Sequence, residues 1–235
     1  MKSTLKLSIA TLAVVFGMLA SASASSSTFF FKYFSTGGSI YPWYSNDNSW
    51  GYSNTSGSGF MEMVIGEDWG NISPYHPIPK KISSCGPCTE YFSSYHGVNS
   101  GGRIDTTWDN FVDTAVVSNR QGTEIMIWLN WQGTQPICGQ YNAQGQAVPT
   151  YTNVNIGGWN YNVFTYHWSS GYWTLTFEVA GSQTGSATLG TRYFLDWAIS
   201  KGYFNSSWYY MEVGAGWEYA NGWATCNGLS HSGTW

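Results

Sequence analysis

The sequence predicts an all-β fold, and three observations lead to that prediction. Gly, Ser, Asn and Thr are spread along the chain, as turns between many short strands require. Several stretches alternate apolar and polar residues with a period of two; in 172–179 one face carries Trp173, Leu175, Phe177 and Val179. A helix is expected only at about 189–201, where Gly202 follows as a stop signal. Many strands and one late helix indicate an antiparallel β-sandwich of jelly-roll type.

The first 24 residues have the pattern of a secretory signal peptide. Lys2 and Lys6 precede a mostly apolar run at 7–19 that is too short to cross a bilayer, and small residues follow at 22–24. We therefore expect a secreted protein whose residues 25–235 form one domain. An uncleaved membrane anchor is the alternative, and no later segment is long and apolar enough to span a membrane.

Composition restricts the partners. Charged residues make up 9% of the chain, aromatic residues 18%, and the net charge is −4. Because no basic stripe is present to meet phosphates, nucleic acid is not an expected partner. Abundant aromatic side chains and few charges suit a neutral ring-shaped ligand such as a sugar, although a Trp-rich core would give the same composition. No histidine has metal-ligand spacing, so we expect no metal and no cofactor, and we expect a monomer.

Four cysteines, at 85, 88, 138 and 226, suggest disulfides in an exported protein. Three pairings are possible, and Cys85–Cys88 with Cys138–Cys226 is favoured. The Cys-Gly-Pro-Cys stretch at 85–88 also resembles a thioredoxin redox motif, but no helical pattern follows it, so we do not expect redox function.

Two predicted strands each carry a glutamate among apolar neighbours. In 123–131, Glu124 shares a face with Met126, Trp128 and Asn130. A carboxylate held against apolar groups is costly unless it is hydrogen-bonded or functional, and a solvated glutamate at a sheet edge is the alternative. In 209–219, Glu218 shares a face with Gly214 and Gly216, and glycine inside a strand often marks the close approach of a ligand; a bulge is the alternative.

If both strands line one concave sheet, the two carboxyl groups face each other across a substrate cleft. Cleavage of a glycosidic bond needs such a pair, because the leaving oxygen must receive a proton while the anomeric carbon is attacked from the opposite side. A separation of about 5–5.5 Å gives retention of configuration, and about 6.5–9.5 Å gives inversion.

From about Tyr44 to Gly228 the chain resembles glycoside hydrolase family 12, the β-jelly-roll endoglucanases. The similar motifs are Asn48-Ser49-Trp50-Gly51, the stretch from Pro79 to Ser84, Glu124-Ile125-Met126-Ile127-Trp128 with Gln135-Pro136-Ile137, and the stretch from Gly214 to Glu218.

The resemblance implies a secreted, retaining endo-β-1,4-glucanase that acts on β-glucan. It implies Glu124 as the nucleophile, Glu218 as the general acid/base and Asp113 as the acid that contacts the nucleophile. It also suggests substrate contacts from Asn48, Trp50, Met126, Trp128 and Pro136, with Trp50 and Trp128 as platforms for sugar rings.

The chain departs from the family pattern in places. Val112 stands where the family usually has Tyr before the supporting aspartate, and the spacing from Asp113 to Glu124 is shorter than usual. Three other functions stay open: a xyloglucan-specific endoglucanase, a xylanase of the related jelly-roll family, and a glucan-binding jelly roll without catalysis.

Overall fold

The structure is a computed structural model that describes residues 30–36, 38–53, 56–68, 71–72, 78–116 and 122–233. The predicted signal peptide lies outside these residues. The described strands are β1 Phe30–Thr36, β2 Tyr41–Asn46, β3 Ser49–Ser53, β4 Ser58–Asp68, β5 Asn71–Ile72, β6 Lys80–Lys81, β7 Cys88–Asp113, β8 Thr123–Gln132, β9 Tyr151–Ile156, β10 Trp159–His167, β11 Trp173–Val179, β12 Ser186–Leu189 and β13 Tyr209–Gly233. A short 3-10 helix covers Ile82–Ser84, and the α-helix α1 covers Thr191–Ser200.

Two long strands, β7 and β13, pass through both layers of a sandwich. Phe92 and Trp108 are both in β7 and would lie about 50 Å apart in a straight strand, yet their ring centroids are 5.7 Å apart. The strand therefore folds back over the core. Its partner β13 follows it, with register shifts at Ala220/Gly222 and Cys226/Gly228 where extra residues bend the pair.

We call the two layers the front sheet and the back sheet. The front sheet has the order β1, β4, β13 (209–220), β7 (103–113), β8, β11, β10 and β9. The back sheet consists of β2, β3, β13 (222–233), β7 (88–98) and β12. Neighbours are antiparallel except β8 and β11, which run parallel.

Aromatic side chains fill the space between the sheets. Trp50 of the back sheet and Trp217 of the front sheet lie 4.5 Å apart between ring centroids, and Phe92 packs against both. Burying large rings in offset and edge-to-face contacts contributes strongly to stability. The predicted all-β jelly-roll sandwich is confirmed.

Local predictions agree with the structure where periodicity was clear. The strands expected at 123–131 and 172–179 are β8 and β11, and the expected helix is α1, which buries Phe194 and Ala198. No helix among the described residues has the length and hydropathy needed to cross a membrane.

The four cysteines are buried free thiols, so the favoured pairs are not formed in this structure. Cys88 Sγ lies 2.9 Å from Thr191 Oγ1, and Cys85 donates to the Lys81 carbonyl oxygen. Cys138 donates to the Gln140 carbonyl oxygen, whereas Cys226 lies in β13 opposite Trp50. Burial raises the pKa of Cys88 and of Cys226 to about 12, which disfavours the reactive thiolate.

Gly214 and Gly216 allow β4 to approach β13 closely. A Cβ atom at Gly216 would lie 2.0 Å from the Met61 carbonyl oxygen, and one at Gly214 would lie 2.0 Å from Glu62 Oε2. The glycine pattern that suggested an open floor for a ligand is therefore explained by the neighbouring strand and its Glu62 side chain.

Replacing Gly216 by Ala should destabilise the protein, because the new methyl group meets backbone atoms that cannot move without shifting β4. We expect a loss of about 3 kcal/mol in the free energy of unfolding measured by urea titration. Gly139→Ala is the control, since a Cβ atom there makes only an ordinary contact of 3.6 Å with the Thr165 carbonyl oxygen. Equal stabilities of the two variants would contradict the close-approach explanation.

Candidate active site

The front sheet turns a strongly acidic face away from the core. Along β7, β8 and β13 the residues that alternate with core side chains such as Trp108, Ile125 and Trp217 point to this front face. Adjacent strands bring the following carboxyl groups to it: Glu62, Asp105, Asp109, Glu124, Glu178, Glu212 and Glu218. Glu124 and Glu218, predicted from separate strands, therefore share one face.

Glu124 lies near the start of β8 and is held by the neighbouring strand β11. The Thr174 hydroxyl donates to Glu124 Oε2 at 2.8 Å, and the Trp168 indole Nε1–H donates to Thr174 Oγ1 at 2.9 Å. The pKa of Glu124 is raised overall, because burial and the charge of Glu62 outweigh the hydrogen bond from Thr174 and the charge of Lys32. The chain of donors fixes the Glu124 carboxyl and opposes part of that rise.

Glu218 lies in β13 directly opposite Asp105 of β7. Its side chain is exposed on the front face, but protein surrounds the carboxyl on the other sides. Desolvation, followed by the charge of Glu124, raises the pKa of Glu218 to about 7, against a smaller lowering by Arg103. Glu218 therefore keeps its proton in mildly acidic solution.

The two glutamates pair with residues of β7 that are six positions apart. Glu124 pairs with Phe111, whereas Glu218 pairs with Asp105. Their charges nevertheless interact, because Glu124 raises the pKa of Glu218. A register shift between Thr106 and Thr107 bends the strand pair between these two positions.

The charge of Glu124 raises the pKa of two aspartates, Asp105 and Asp109, and for Asp109 it is the largest charge effect. Asp109 lies opposite Met126 of β8, it is partly buried, and one of its carboxyl oxygens has no hydrogen-bond partner. Desolvation and then the charge of Glu124 raise the pKa of Asp109 well above its usual value. Burial and the neighbouring charge therefore both disfavour an ionised Asp109.

Asp113, predicted to contact the nucleophile, lies at the end of β7. Its Oδ1 accepts hydrogen bonds from the hydroxyl groups of Tyr172 at 3.1 Å and Thr114 at 3.0 Å. These bonds join the strand end to the turn before β11. Asp109 differs from Asp113 at the two points of departure: an aromatic residue, Trp108, precedes it, and its spacing to Glu124 is four residues longer than that of Asp113.

A buried lysine partly balances the acidic face. Lys32 Nζ of β1 lies 3.2 Å from Glu62 Oε1 and 3.8 Å from Glu212 Oε1, and all three side chains are buried. The Lys32 ammonium group also lies 4.7 Å from the centre of the Phe60 ring. Its positive charge lowers the pKa of Glu124, so it supports the carboxylate from the side opposite β11.

Two predicted substrate contacts lie away from the front face. Trp50 is 0% exposed and packs in the core against Trp217, with its indole N–H donating to the Asp47 carbonyl oxygen. The prediction of Trp50 as a sugar platform is therefore wrong. Asn48 lies in the turn between β2 and β3, where Oδ1 accepts the backbone N–H of Leu229 at 2.7 Å and connects that turn to β13.

Met126 and Trp128 do lie on the front face, on the strand that carries Glu124. Trp128 is 2% exposed, however, so its ring cannot stack on a sugar in this conformation, and that prediction is corrected. Pro136 is buried in the wall of a pocket of about 470 Å³, together with Arg103, Gly133, Thr134, Gln135, Ile137 and Tyr141.

Sequence reasoning missed Asp105, Asp109, Trp168 and Thr174. The alternation along β11 did place Thr174 on the polar face, and the residue pairs Thr174/Glu124 and Glu178/Trp128 show that this face continues the front face of β8. Trp168 precedes β11 in a turn, where no periodicity indicates its orientation. Within the described ranges no cluster of three or more His, Cys, Asp or Glu side chains could hold a metal ion.

Solved structures match this fold over most of the chain. A structure from a comparison of family 12 glycoside hydrolases is 26% identical, with a TM-score of 0.68, covering 82% of this chain and 85% of that one. The xyloglucanase domain of a type three effector from Sinorhizobium fredii, in complex with cellobiose, is 24% identical, with a TM-score of 0.72 and coverage of 92% and 97%. An endoglucanase from Rhodothermus marinus is 16% identical, with a TM-score of 0.65 and coverage of 86% and 98%.

No protein-family model matches the chain, and no curated protein matches its sequence. The fold and the paired carboxyl groups define the chain as a glycoside hydrolase of the jelly-roll class. Its fold is that of family 12, which confirms the resemblance predicted from the sequence motifs.

Replacing Thr174 by Val should remove the hydrogen bond to Glu124 while keeping the shape of the side chain. The pKa of Glu124 should rise, so the acid limb of the kcat/KM profile should move to higher pH, and kcat should fall about tenfold or more. Thr174→Ser keeps a hydroxyl group and should stay close to the parent.

Thr176→Val is the matched control for this experiment. Thr176 lies on the same strand and face, and its buried hydroxyl has no hydrogen-bond partner, so its loss should leave the pH profile unchanged. A parental pH profile for Thr174→Val would show that Thr174 does not position the nucleophile.

Proposed function

We propose that this protein is a retaining endo-β-1,4-glucanase that acts by double displacement, with Glu124 as nucleophile and Glu218 as general acid/base. One observation carries the proposal: two glutamates from different strands interact on one face, and burial raises the pKa of both. The Thr174 hydrogen bond and the Lys32 charge oppose that rise at Glu124, whereas the charge of Glu124 adds to it at Glu218, whose pKa reaches about 7. Opposite protonation states in a carboxyl pair are what acid-assisted displacement needs.

In the first step a Glu124 oxygen attacks the anomeric carbon while the bond to the leaving glucan chain breaks. Glu218 donates its proton to the departing oxygen, so the shortened chain leaves as a neutral alcohol. The product of this step is a glycosyl ester of Glu124, and Glu218 is left as a carboxylate.

In the second step Glu218 removes a proton from water, and the resulting oxygen attacks the anomeric carbon as the ester bond to Glu124 breaks. Desolvation is the main cause of the raised pKa of Glu218, and the charge of Glu124 is the next. Once Glu124 is esterified it no longer carries a negative charge, so this second cause is removed. The same carboxyl group can therefore act first as an acid and then as a base.

Asp109 takes the supporting role that the resemblance assigned to Asp113. A protonated carboxyl group beside Glu124 avoids two adjacent negative charges and can donate a hydrogen bond to the nucleophile as its charge changes. Thr174 and Lys32 act on the same charge from other sides.

The substrate is proposed to be a neutral β-1,4-glucan, and the reported complex of a structural neighbour with cellobiose supports that choice. Exposed aromatic rings lie at both ends of the carboxyl pair: Trp168 beyond Thr174, and Tyr141 in the pocket next to Arg103. We propose these rings, rather than Trp50 and Trp128, as the platforms for sugars. Secretion after removal of residues 1–24 and a monomeric state complete the proposal.

A second candidate is a xyloglucan-specific enzyme, because two structural neighbours are xyloglucanases. Reducing-sugar release from carboxymethylcellulose, mixed-linkage glucan, xyloglucan and xylan separates these specificities. An endo-β-1,4-glucanase should release reducing sugar from the glucans. A xyloglucan-specific enzyme should release it from xyloglucan alone, and a xylanase should release it from xylan alone.

The roles of the two glutamates can be separated by azide rescue. Glu124→Ala and Glu218→Ala should each lose at least about a thousandfold in kcat on an activated cellotrioside. Azide should rescue Glu124→Ala to an α-glycosyl azide, because azide replaces the nucleophile, and Glu218→Ala to a β-glycosyl azide, because azide attacks the glycosyl-enzyme. Product stereochemistry is determined by NMR, and Glu62→Gln serves as a carboxyl control on the same face. Any other stereochemical pattern would overturn the assignment.

Asp109→Asn and Asp113→Asn should have opposite effects. Asp109→Asn should lower kcat at least tenfold and leave thermal stability nearly unchanged, because a neutral amide replaces a neutral acid. Asp113→Asn should mainly lower the melting temperature, since Asp113 accepts bonds from Tyr172 and Thr114. If Asp113→Asn alone loses kcat with parental stability, Asp113 is the supporting acid.

A further inference from the structure

The outer face of the back sheet carries a row of exposed aromatic side chains. Residues of β2, β3, β7 and β13 that alternate with core residues point to solvent on this side, opposite to the front face. The exposed aromatic residues are Tyr41 60%, Trp43 37%, Tyr91 38%, Tyr95 67% and Trp223 40%. We call these five residues the back platform.

The back platform extends across the strands. Trp43 pairs with Gly51, Gly51 pairs with Thr225, and Thr225 pairs with Tyr95. Trp43 and Tyr95 are thus three strands apart, or about 14 Å. Trp223 lies two residues before Thr225 in β13, on the same face of the sheet. The platform therefore extends about 14 Å across the strands, and along the strands it reaches from Trp223, which pairs with Gly97, to Tyr91, six residues from Gly97 in β7. This area is large enough for several sugar rings.

Two of the rings lie over glycines of the neighbouring strand. A Cβ atom at Gly97 would lie 2.9 Å from three atoms of the Trp223 indole, and one at Gly228 would lie 2.9 Å from the Tyr91 ring. Glycine at these positions leaves room for each ring to cover the neighbouring strand. The opposite side of each ring then faces solvent as a flat apolar surface, held by the sheet.

The charge of this face also restricts its ligand. Within the described back-sheet segments 41–46, 49–53, 88–98, 186–189 and 222–233, the formally charged residue is Glu90, and it is 0% exposed and bonded to His231. Between the rings lie hydroxyl side chains: Ser53, Ser93, Thr188, Thr225 and Ser230. Clustered exposed aromatic residues mark interaction sites, and a face with rings and hydroxyl groups but no charge suits a neutral polymer.

We propose that the back platform is a second glucan-binding surface, separate from the front face and without catalytic carboxyl groups. The rings stack on the apolar C–H faces of pyranoses, and the hydroxyl side chains bond to sugar hydroxyls. A neutral sugar chain follows from the chemistry of the platform itself, whereas the choice of β-glucan rests on the proposed function. Binding there would hold the enzyme on a polymer between cleavage events.

The test uses native affinity electrophoresis in gels that contain hydroxyethylcellulose or mixed-linkage glucan. All variants in this experiment carry Glu124→Gln, so that the polymer is not degraded during the run, and the protein with Glu124→Gln alone is called the parent. Trp43→Ala/Trp223→Ala should weaken retardation about tenfold in apparent Kd, and Tyr41→Ser/Tyr95→Ser, whose side chains are the most exposed, should weaken it at little cost to folding. Tyr193→Ala, an exposed aromatic residue on α1, is the matched control and should bind as the parent does.

Activity on a short chromogenic cellotrioside, measured with Glu124 intact, separates this proposal from the proposed function. The platform variants should cleave the cellotrioside at the wild-type rate and lose activity on polymer. If the platform variants bind polymer as tightly as the parent, or if the parent binds none, the second surface is overturned. If instead the cellotrioside is not cleaved by the wild type while the platform variants still lose binding, it is the proposed function that fails.

Sedimentation of wild type and Trp43→Ala/Trp223→Ala tests the other possible occupant, a second copy of this chain. A dimer that the substitutions abolish, with unchanged retardation by the polymer, would assign the platform to self-association and overturn the glucan proposal.

Discussion

The front face depends on one electrostatic constraint: several carboxyl groups share a face of a sheet whose other side is apolar core. Like charges so placed cannot all ionise, and each charge removed from water needs a compensating partner. The structure meets this constraint in three ways. The pKa values of Asp105 and Asp109 are raised well above their usual range, Lys32 compensates Glu62 and Glu212, and Thr174 donates to Glu124.

The pKa shifts follow from burial and from this compensation. Burial raises the pKa of Glu124, but a hydroxyl donor and a buried cation act on this carboxyl group and oppose the rise. The charge of Glu124 then raises the pKa of Asp109 and of Glu218, where the main cause is desolvation. Glu124 and Glu218 are thus linked: a negative charge on Glu124 helps to keep Glu218 protonated.

Much of the fold and half of the site could be predicted because alternation survives in the sequence. The strands around Glu124 and Glu218 keep a period of two, so both glutamates could be placed opposite the core side chains. Trp50 and Trp128 could not be distinguished from exposed rings, since alternation gives the face of a residue and not its exposure. Asp109 and Asp113 lie on the same face of β7 in the alternation, so the sequence could not distinguish them. The pairing of β7 with β8 and the effect of the Glu124 charge on the pKa of Asp109 show that Asp109 is the one that interacts with Glu124.

The two outward faces of the sandwich differ in a way that separates two tasks. On the front face, charges in close contact create unequal protonation states, which bond cleavage requires but which also favour a narrow and specific site. On the back face, rings lie over Gly97 and Gly228, and no charged group there needs a compensating partner. Stacking on a ring does not require exact positioning, so a polymer can slide along this face. Reaction at Glu124 and Glu218 requires the sugar to be held in one position. Because the core between the sheets is filled with packed aromatic rings, each face can keep its own chemistry while β7 and β13, which run through both, hold the two faces at a fixed distance.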